Sequence, residues 1–193
     1  MNQQTKITQL LGDLAIPIIG YYFWDWNMFF ILFFYILDVS VSTAFTFVKT
    51  KAIHKHHQTS NYPWKHIFLI LIGYFLTFYL VYFLIMNISP KVNLSKEIIR
   101  FVMMKEMGLP QGILLLPLLI VGGYMQYKIS FLIPKAFETT PIDSLWHEHV
   151  KLFLLIVGVI ALLLGLSSWV VFPEGVYVWG MVLGSSGYRY YVR

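Results

Sequence analysis

The chain has 193 residues, of which 58% are hydrophobic and 12% charged, against about 25% charged in a soluble domain. A soluble chain with so few charges could not cover its surface, whereas a lipid-facing surface needs none. The net charge is +5, but Lys and Arg lie between apolar runs rather than in one block, which argues against nucleic-acid binding. The absence of cysteine excludes disulfides, zinc–thiolate sites and thiol catalysis.

Apolar runs of membrane-spanning length recur along the chain, since a spanning helix needs about 20 apolar residues, within a range of about 17–25. The six predicted helices cover residues 7–23, 27–48, 66–86, 109–127, 141–172 and 176–188. The first contains Asp13 and Pro17, and the sixth is short enough to be tilted or re-entrant. The sequence therefore predicts an all-α membrane protein in which residues 1–193 form a single transmembrane domain.

Two local patterns refine this prediction. Thr140, Pro141 and Asp143 predict the start of the fifth helix, with Thr140 as N-cap and proline at the first helical position. Residues 94–104 predict an amphipathic helix in an outer loop, with its apolar residues on one face. That face carries Leu94, Ile98, Phe101 and Val102. We expect it to lie along the outer membrane surface or to pack on a partner.

The orientation follows from the distribution of Lys and Arg between the loops. With the N-terminus in the cytoplasm, ten of the 14 Lys and Arg residues fall on the cytoplasmic side and four on the other. Because cytoplasmic loops carry the excess of positive charge, both termini are predicted to be cytoplasmic. All six histidines then lie on the cytoplasmic side.

Asp38 is the most informative polar position. It lies midway between Asp25 and Lys49, at about 15–20 Å from each for a rise of 1.5 Å per residue. A carboxylate near the bilayer centre is costly and should face protein or water. Tyr35, Ser42 and Thr46 fall on the same side of the helix. A hydrogen-bonded anchor between helices is favoured over a proton or ion relay, or an ion pair with another subunit.

Asp13 lies about 10 Å inside the cytoplasmic end of the first helix by the same rise. A structural role is again favoured, because Pro17 frees a backbone carbonyl that a neighbouring donor should meet. If the first two helices pack as a hairpin, Asp13 and Asp38 would share one apolar site.

The histidines suggest a further candidate site, because imidazole is a ligand of zinc and iron. The candidate ligands are His54, His57, His147 and His149. No H-E-x-x-H motif is present, so polar residues near lipid headgroups are the favoured interpretation and no cofactor is predicted. Gly180 and Gly184 form a small-xxx-small pair that predicts close helix packing.

The first hairpin resembles the opening of a prokaryotic membrane-protein family of unknown function. The residues that carry the resemblance lie between about 9 and 48: Leu11 to Gly20, Trp24 and Trp26, and Phe34 to Asp38. Asp13 stands where the family has Asn, and Asp38 where it has Glu. Val39 and Asp25 depart from the family's Asn and Gly. The resemblance implies a small multi-pass protein with an intramembrane carboxylate, and it implies no activity.

Three functions follow as alternatives. The first is a non-enzymatic subunit or accessory protein of a larger membrane complex, because the loops are too short for a catalytic domain. The second is a proton- or ion-coupled transporter that uses Asp38. The third is a membrane-embedded, metal-dependent enzyme that uses the histidines. The expected partners are the lipid bilayer and another membrane protein or a second copy, without nucleic acid. The resemblance and the lack of a cleavable signal at the start favour a bacterial inner membrane.

Overall fold

The computed structural model describes residues 14–58, 63–89, 93–103, 111–170 and 172–192, and these ranges contain helices and no strand. The α-helices are α1 Leu14–Phe23, α2 Met28–His57, α3 Trp64–Ile88, α4 Leu94–Met103, α5 Gln111–Tyr127, α6 Ile142–Trp169 and α7 Glu174–Val192. A π-helical turn, Lys128–Leu132, continues α5, and a 3-10 turn, Ala136–Glu138, precedes α6.

Four helical segments are long and apolar enough to cross a bilayer: α2, α3, α6, and Leu115–Leu132 from α5 into its π-helical turn. The predicted class, a multi-pass, all-α integral membrane protein, is therefore confirmed. α1 is a shorter apolar helix over its described residues, and α7 does not belong to these four.

Several helix ends differ from the prediction. α2 continues past Val48 to His57. The prediction ended too early because it followed hydropathy, which marks the apolar part of the helix and not its polar last turns. α7 begins at Glu174 and extends to Val192, beyond both predicted limits. The prediction of Thr140 as N-cap of α6 is wrong: Pro141 is the N-cap, with extended backbone and no side-chain cap.

α2 lies at the centre of the bundle and contacts α3, α4, α5, α6 and α7. α3 packs mainly on α6, and α7 packs on both α6 and α2. The end of the bundle that holds His57, Trp64 and Ile142 is called the histidine end below. The opposite end, which holds Asn27, Ile88 and Glu174, is called the Asn27 end.

The amphipathic helix α4 docks on its own chain. Phe101 is 3% exposed, and its ring centroid lies 5.3 Å from that of Phe30 and 4.9 Å from that of Phe33. Ile98 remains exposed. The predicted apolar face therefore exists, but its innermost residue fills the core of the bundle.

Candidate functional site

A row of threonines runs along the face of α2 that meets α6. Thr43, Thr46 and Thr50 are spaced by three and four residues, which keeps them on one face of a helix. Their hydroxyl groups donate to backbone carbonyls four residues earlier: Thr43 to Val39 at 2.8 Å, Thr46 to Ser42 at 2.9 Å and Thr50 to Thr46 at 2.8 Å. Since each hydroxyl proton is used within α2, the oxygen lone pairs remain available as acceptors for neighbouring helices.

Thr43 accepts hydrogen bonds from two other helices. Its Oγ1 lies 3.1 Å from the Tyr74 hydroxyl on α3 and 2.9 Å from His149 Nε2 on α6. Because the Thr43 proton goes to Val39, both neighbours must donate, which assigns the proton of His149 to Nε2. The His149 side chain is 6% exposed. One hydroxyl oxygen therefore joins α2, α3 and α6.

Thr50 makes a second junction nearer the histidine end. Trp146 on α6 donates its indole N–H to Thr50 Oγ1 at 2.9 Å, and both side chains are fully buried. The rings of Phe47 and Trp146 pack in a T-shaped arrangement with centroids 4.8 Å apart. A buried indole N–H usually has a hydrogen-bond partner, and Thr50 is the acceptor for Trp146.

The predicted polar residues of α2 differ in their environments. Tyr35 is 1% exposed and Thr46 5% exposed, whereas Asp38 and Ser42 are half-buried. Asp13 lies outside the described residues, so the expected pairing of Asp13 with Asp38 stays a prediction. A cavity of ≈ 110 Å³ between α2, α3 and α4 is lined by apolar and aromatic side chains, among them Ile36 and Phe78, and not by Asp38.

The candidate metal ligands occupy separate environments. His57 Nε2 donates to the Phe137 carbonyl at 3.2 Å, His54 is half-buried, and His147 is exposed. His149 belongs to the Thr43 junction. Over the described ranges, no three His, Cys, Asp or Glu side chains come together as a metal site would require.

At the Asn27 end, side chains cap the start of α2. Asn27 Oδ1 accepts from the backbone N–H of Phe30 at 3.1 Å, and a Glu174 carboxylate oxygen accepts from the N–H of Met28. Asn27 Nδ2 in turn donates to Glu97 on α4 at 3.0 Å. The first N–H groups of a helix have no partner within it and favour nearby negative charge. The two carboxylates therefore suit this position.

Arg100 completes the contact between α4 and the start of α2. Its guanidinium lies 3.6 Å from the Asp25 carboxylate and 3.9 Å from that of Glu97, and 5.7 Å from the centre of the Phe30 ring. These contacts and the burial of Phe101 fix α4 across the Asn27 end.

Glycines mark close approaches between helices. A Cβ at Gly180 would lie 2.9 Å from Leu163, and one at Gly184 would lie 3.0 Å from Val159, both on α6. Both members of the predicted small-xxx-small pair therefore face α6 within the chain. A Cβ at Gly73 of α3 would lie 2.2 Å from the ring of Phe153.

Sequence reasoning largely missed the two junctions between α2 and its neighbours. Thr46 was singled out, but Thr43, Thr50, Tyr74 and Trp146 were not. The spacing of the three threonines was a usable signal, because hydroxyl groups on one face of an apolar helix commonly meet donors on a neighbour.

Comparison with known proteins leaves the family open: no family model, curated protein or solved structure matches this chain. The resemblance at the first hairpin therefore stays a prediction.

Proposed function

We propose that this protein is a non-enzymatic subunit or accessory protein of a larger membrane assembly, located in a bacterial inner membrane. In this proposal the chain crosses the membrane six times with both termini in the cytoplasm. The histidine end then faces the cytoplasm.

One observation carries the proposal: the buried polar side chains of α2, α3 and α6 bond to one another, while α5 leaves most of its surface uncovered. Only 11% of the residues in Leu115–Leu132 are buried within the chain, against 56% of an apolar 18-residue stretch of α2. Polar groups that bond one another hold helices in place, which suits a fixed structural part. An apolar helix that its own chain barely covers is suited to contact lipid or a second membrane protein.

The first test is purification from the native membrane in a mild detergent, followed by mass spectrometry of the proteins that accompany the chain. A partner present at a fixed stoichiometry supports the proposal. A homogeneous monomer with no associated protein contradicts it.

A photo-crosslinking pair sharpens this test by locating the contact. A benzophenone side chain replaces Met125 on α5 or, as the matched control, Leu71 on α3; the two residues are 52% and 54% exposed. We expect a discrete protein adduct from position 125 and lipid adducts from position 71. Lipid adducts from both positions would contradict a protein contact at α5.

Proton- or ion-coupled transport through Asp38 is the second candidate function. It is favoured by the position of Asp38, which is half-buried in the apolar part of the central helix α2, about a third of the way along it. The purified protein in liposomes should then show pH-dependent ion flux that Asp38→Asn abolishes. Equal flux through the wild-type protein and the variant would eliminate this candidate.

A further inference from the structure

One stripe of α2 is uncovered although α2 is the central helix. Ala44, Val48, Lys51 and Lys55 are all exposed. Their spacings of four, three and four residues keep them within about 60° of one another around the helix axis. These four residues are called the lysine stripe below.

Contacts between side chains fix the helices on either side of the lysine stripe. On one side, Thr50 and Phe47 of α2 meet Trp146 of α6. On the other side, Phe45 packs on Tyr127 of α5, with ring centroids 6.0 Å apart. The stripe therefore forms the floor of an opening between α6 and α5.

The chemistry of the stripe changes along its length. Ala44 and Val48 lie within the apolar part of α2, and the two lysines follow toward the histidine end. At a rise of 1.5 Å per residue, Lys51 lies about 5 Å and Lys55 about 10 Å beyond Val48. Two cations directly beyond an apolar surface match a lipid whose acyl chain lies in the membrane and whose phosphate lies at its surface.

The charge balance specifies an anionic lipid. Asp38 is the one acidic residue in the sequence of α2, and it lies about 120° around the helix from Ala44. On α6, Asp143 and Glu148 accompany Lys151, whereas α3 carries a single lysine, Lys65, and no acidic residue. The lysine stripe thus brings two cations to one face of α2 with no acidic residue on that face.

We propose that the lysine stripe is a binding site for an anionic phospholipid, with the headgroup phosphate on Lys51 and Lys55 and an acyl chain along Ala44 and Val48. The site lies in the leaflet at the histidine end. It does not depend on the proposed role as a subunit, because the lipid binds the chain itself.

Native mass spectrometry of the detergent-solubilised, full-length protein tests the proposal with long-chain phosphatidylglycerol as the probe. A lysine or arginine at the membrane surface strengthens binding to an anionic lipid by about fivefold. The double variant Lys51→Gln/Lys55→Gln should therefore raise the apparent Kd by about 25-fold. The control double variant Lys65→Gln/Lys151→Gln should change the Kd by less than about twofold if attraction is local.

Further binding measurements separate the contribution of the headgroup from that of the acyl chain. Phosphatidylcholine with the same chains should bind much more weakly, and free phosphate at the same concentration should not displace phosphatidylglycerol. Ala44→Phe fills the opening at an exposed position. This variant should weaken the binding of long-chain phosphatidylglycerol and leave the binding of short-chain phosphatidylglycerol unchanged. The proposal would be overturned if the two double variants lost the same affinity for phosphatidylglycerol. It would also be overturned if the two headgroups bound equally well or if free phosphate displaced the lipid.

Discussion

Trp146 and Thr50, which are 96 residues apart in sequence, meet at 2.9 Å between α6 and α2, and neither side chain is exposed. Thr50 donates its own proton to Thr46 and accepts the indole proton from Trp146. Removing either partner would leave a polar group buried without its partner, which costs more than the bond itself contributes. The energy of this pair therefore reports how much one buried hydrogen bond contributes to the packing of α2 on α6.

A double-mutant cycle on this pair should show a coupling energy between about 0.6 kcal/mol, the average for hydrogen bonds between membrane helices, and about 1.7 kcal/mol, the largest value for such bonds. The variants are Thr50→Val, Trp146→Phe and their combination, and the measurement is the free energy of unfolding in mixed micelles. Both substitutions keep most of the side-chain volume, so that packing changes remain small. A coupling energy indistinguishable from zero would show that the bond contributes nothing.

Thr43→Val should be destabilising because it removes the acceptor of both Tyr74 and His149. A buried donor such as His149 Nε2 costs about 1–3 kcal/mol when it loses its acceptor, or roughly 2–4 °C in Tm for each kcal/mol in a chain of this size. The control is Ser130→Ala, whose exposed hydroxyl bonds back to Gln126 of its own helix. Equal Tm values for the two variants, measured by thermal unfolding in detergent, would contradict the junction.

Asp38→Leu should leave membrane insertion intact. A charged residue at the centre of a spanning helix costs about 2.5–3.5 kcal/mol on the insertion scale, whereas leucine is favourable. The amount of variant protein that resists alkaline carbonate extraction should therefore match that of the wild type. Loss of the variant from the membrane fraction would show that Asp38 is required for insertion, through a partner or a folding step.

Gly73→Ala tests the close approach between α3 and α6. The added Cβ would lie 2.2 Å from the buried ring of Phe153, and overpacking of this kind costs about 1–3 kcal/mol. Gly158→Ala is the matched control, because a Cβ there meets no atom within 4 Å. Replacing a helical glycine by alanine in open space stabilises a helix by about 0.5–1 kcal/mol. The two variants should thus move Tm in opposite directions, and shifts of the same sign would contradict the packing.

The central helices were predictable because their signal is local. α2, α3 and α6 are long apolar runs, and a bilayer admits few structures for such a run other than a helix. The extension of α2 to His57 was not predictable in the same way. Beyond Lys49 the sequence becomes polar and hydropathy no longer marks the helix. Its last turns are held by contacts such as the buried Ile53 and the bond from His57 to the Phe137 carbonyl.

The contacts between helices were less predictable. The spacing of apolar residues indicates which face of a helix is buried, but it does not indicate which other helix covers that face. The apolar face of α4 was recognised, yet nothing local shows that Phe101 lies against Phe30 and Phe33. His149 was expected near lipid headgroups and is instead buried. Its burial depends on Thr43 and Tyr74, which only tertiary structure brings to it.

The capping of α2 by Glu174 gives the last prediction, because two substitutions separate its charge from its hydrogen bond. The carboxylate accepts from the backbone N–H of Met28 in the first turn of α2. Glu174→Ala should lower the free energy of unfolding by about 0.5–2 kcal/mol, as for the loss of a capping side chain. Glu174→Gln keeps a hydrogen-bond acceptor and loses the negative charge. It should therefore lower the free energy of unfolding only by the interaction of that charge with the helix dipole, about 0.3–1 kcal/mol.

Salt distinguishes the two contributions, because a charge near a helix end is screened while a neutral hydrogen bond is not. The difference between wild type and Glu174→Gln should shrink between low salt and about 1 M NaCl, where the Debye length is about 3 Å. The difference between Glu174→Gln and Glu174→Ala should stay constant over the same range. A wild-type to Gln difference that is independent of salt would mean that Glu174 stabilises α2 through geometry alone, and that its negative charge makes no contribution at the Asn27 end.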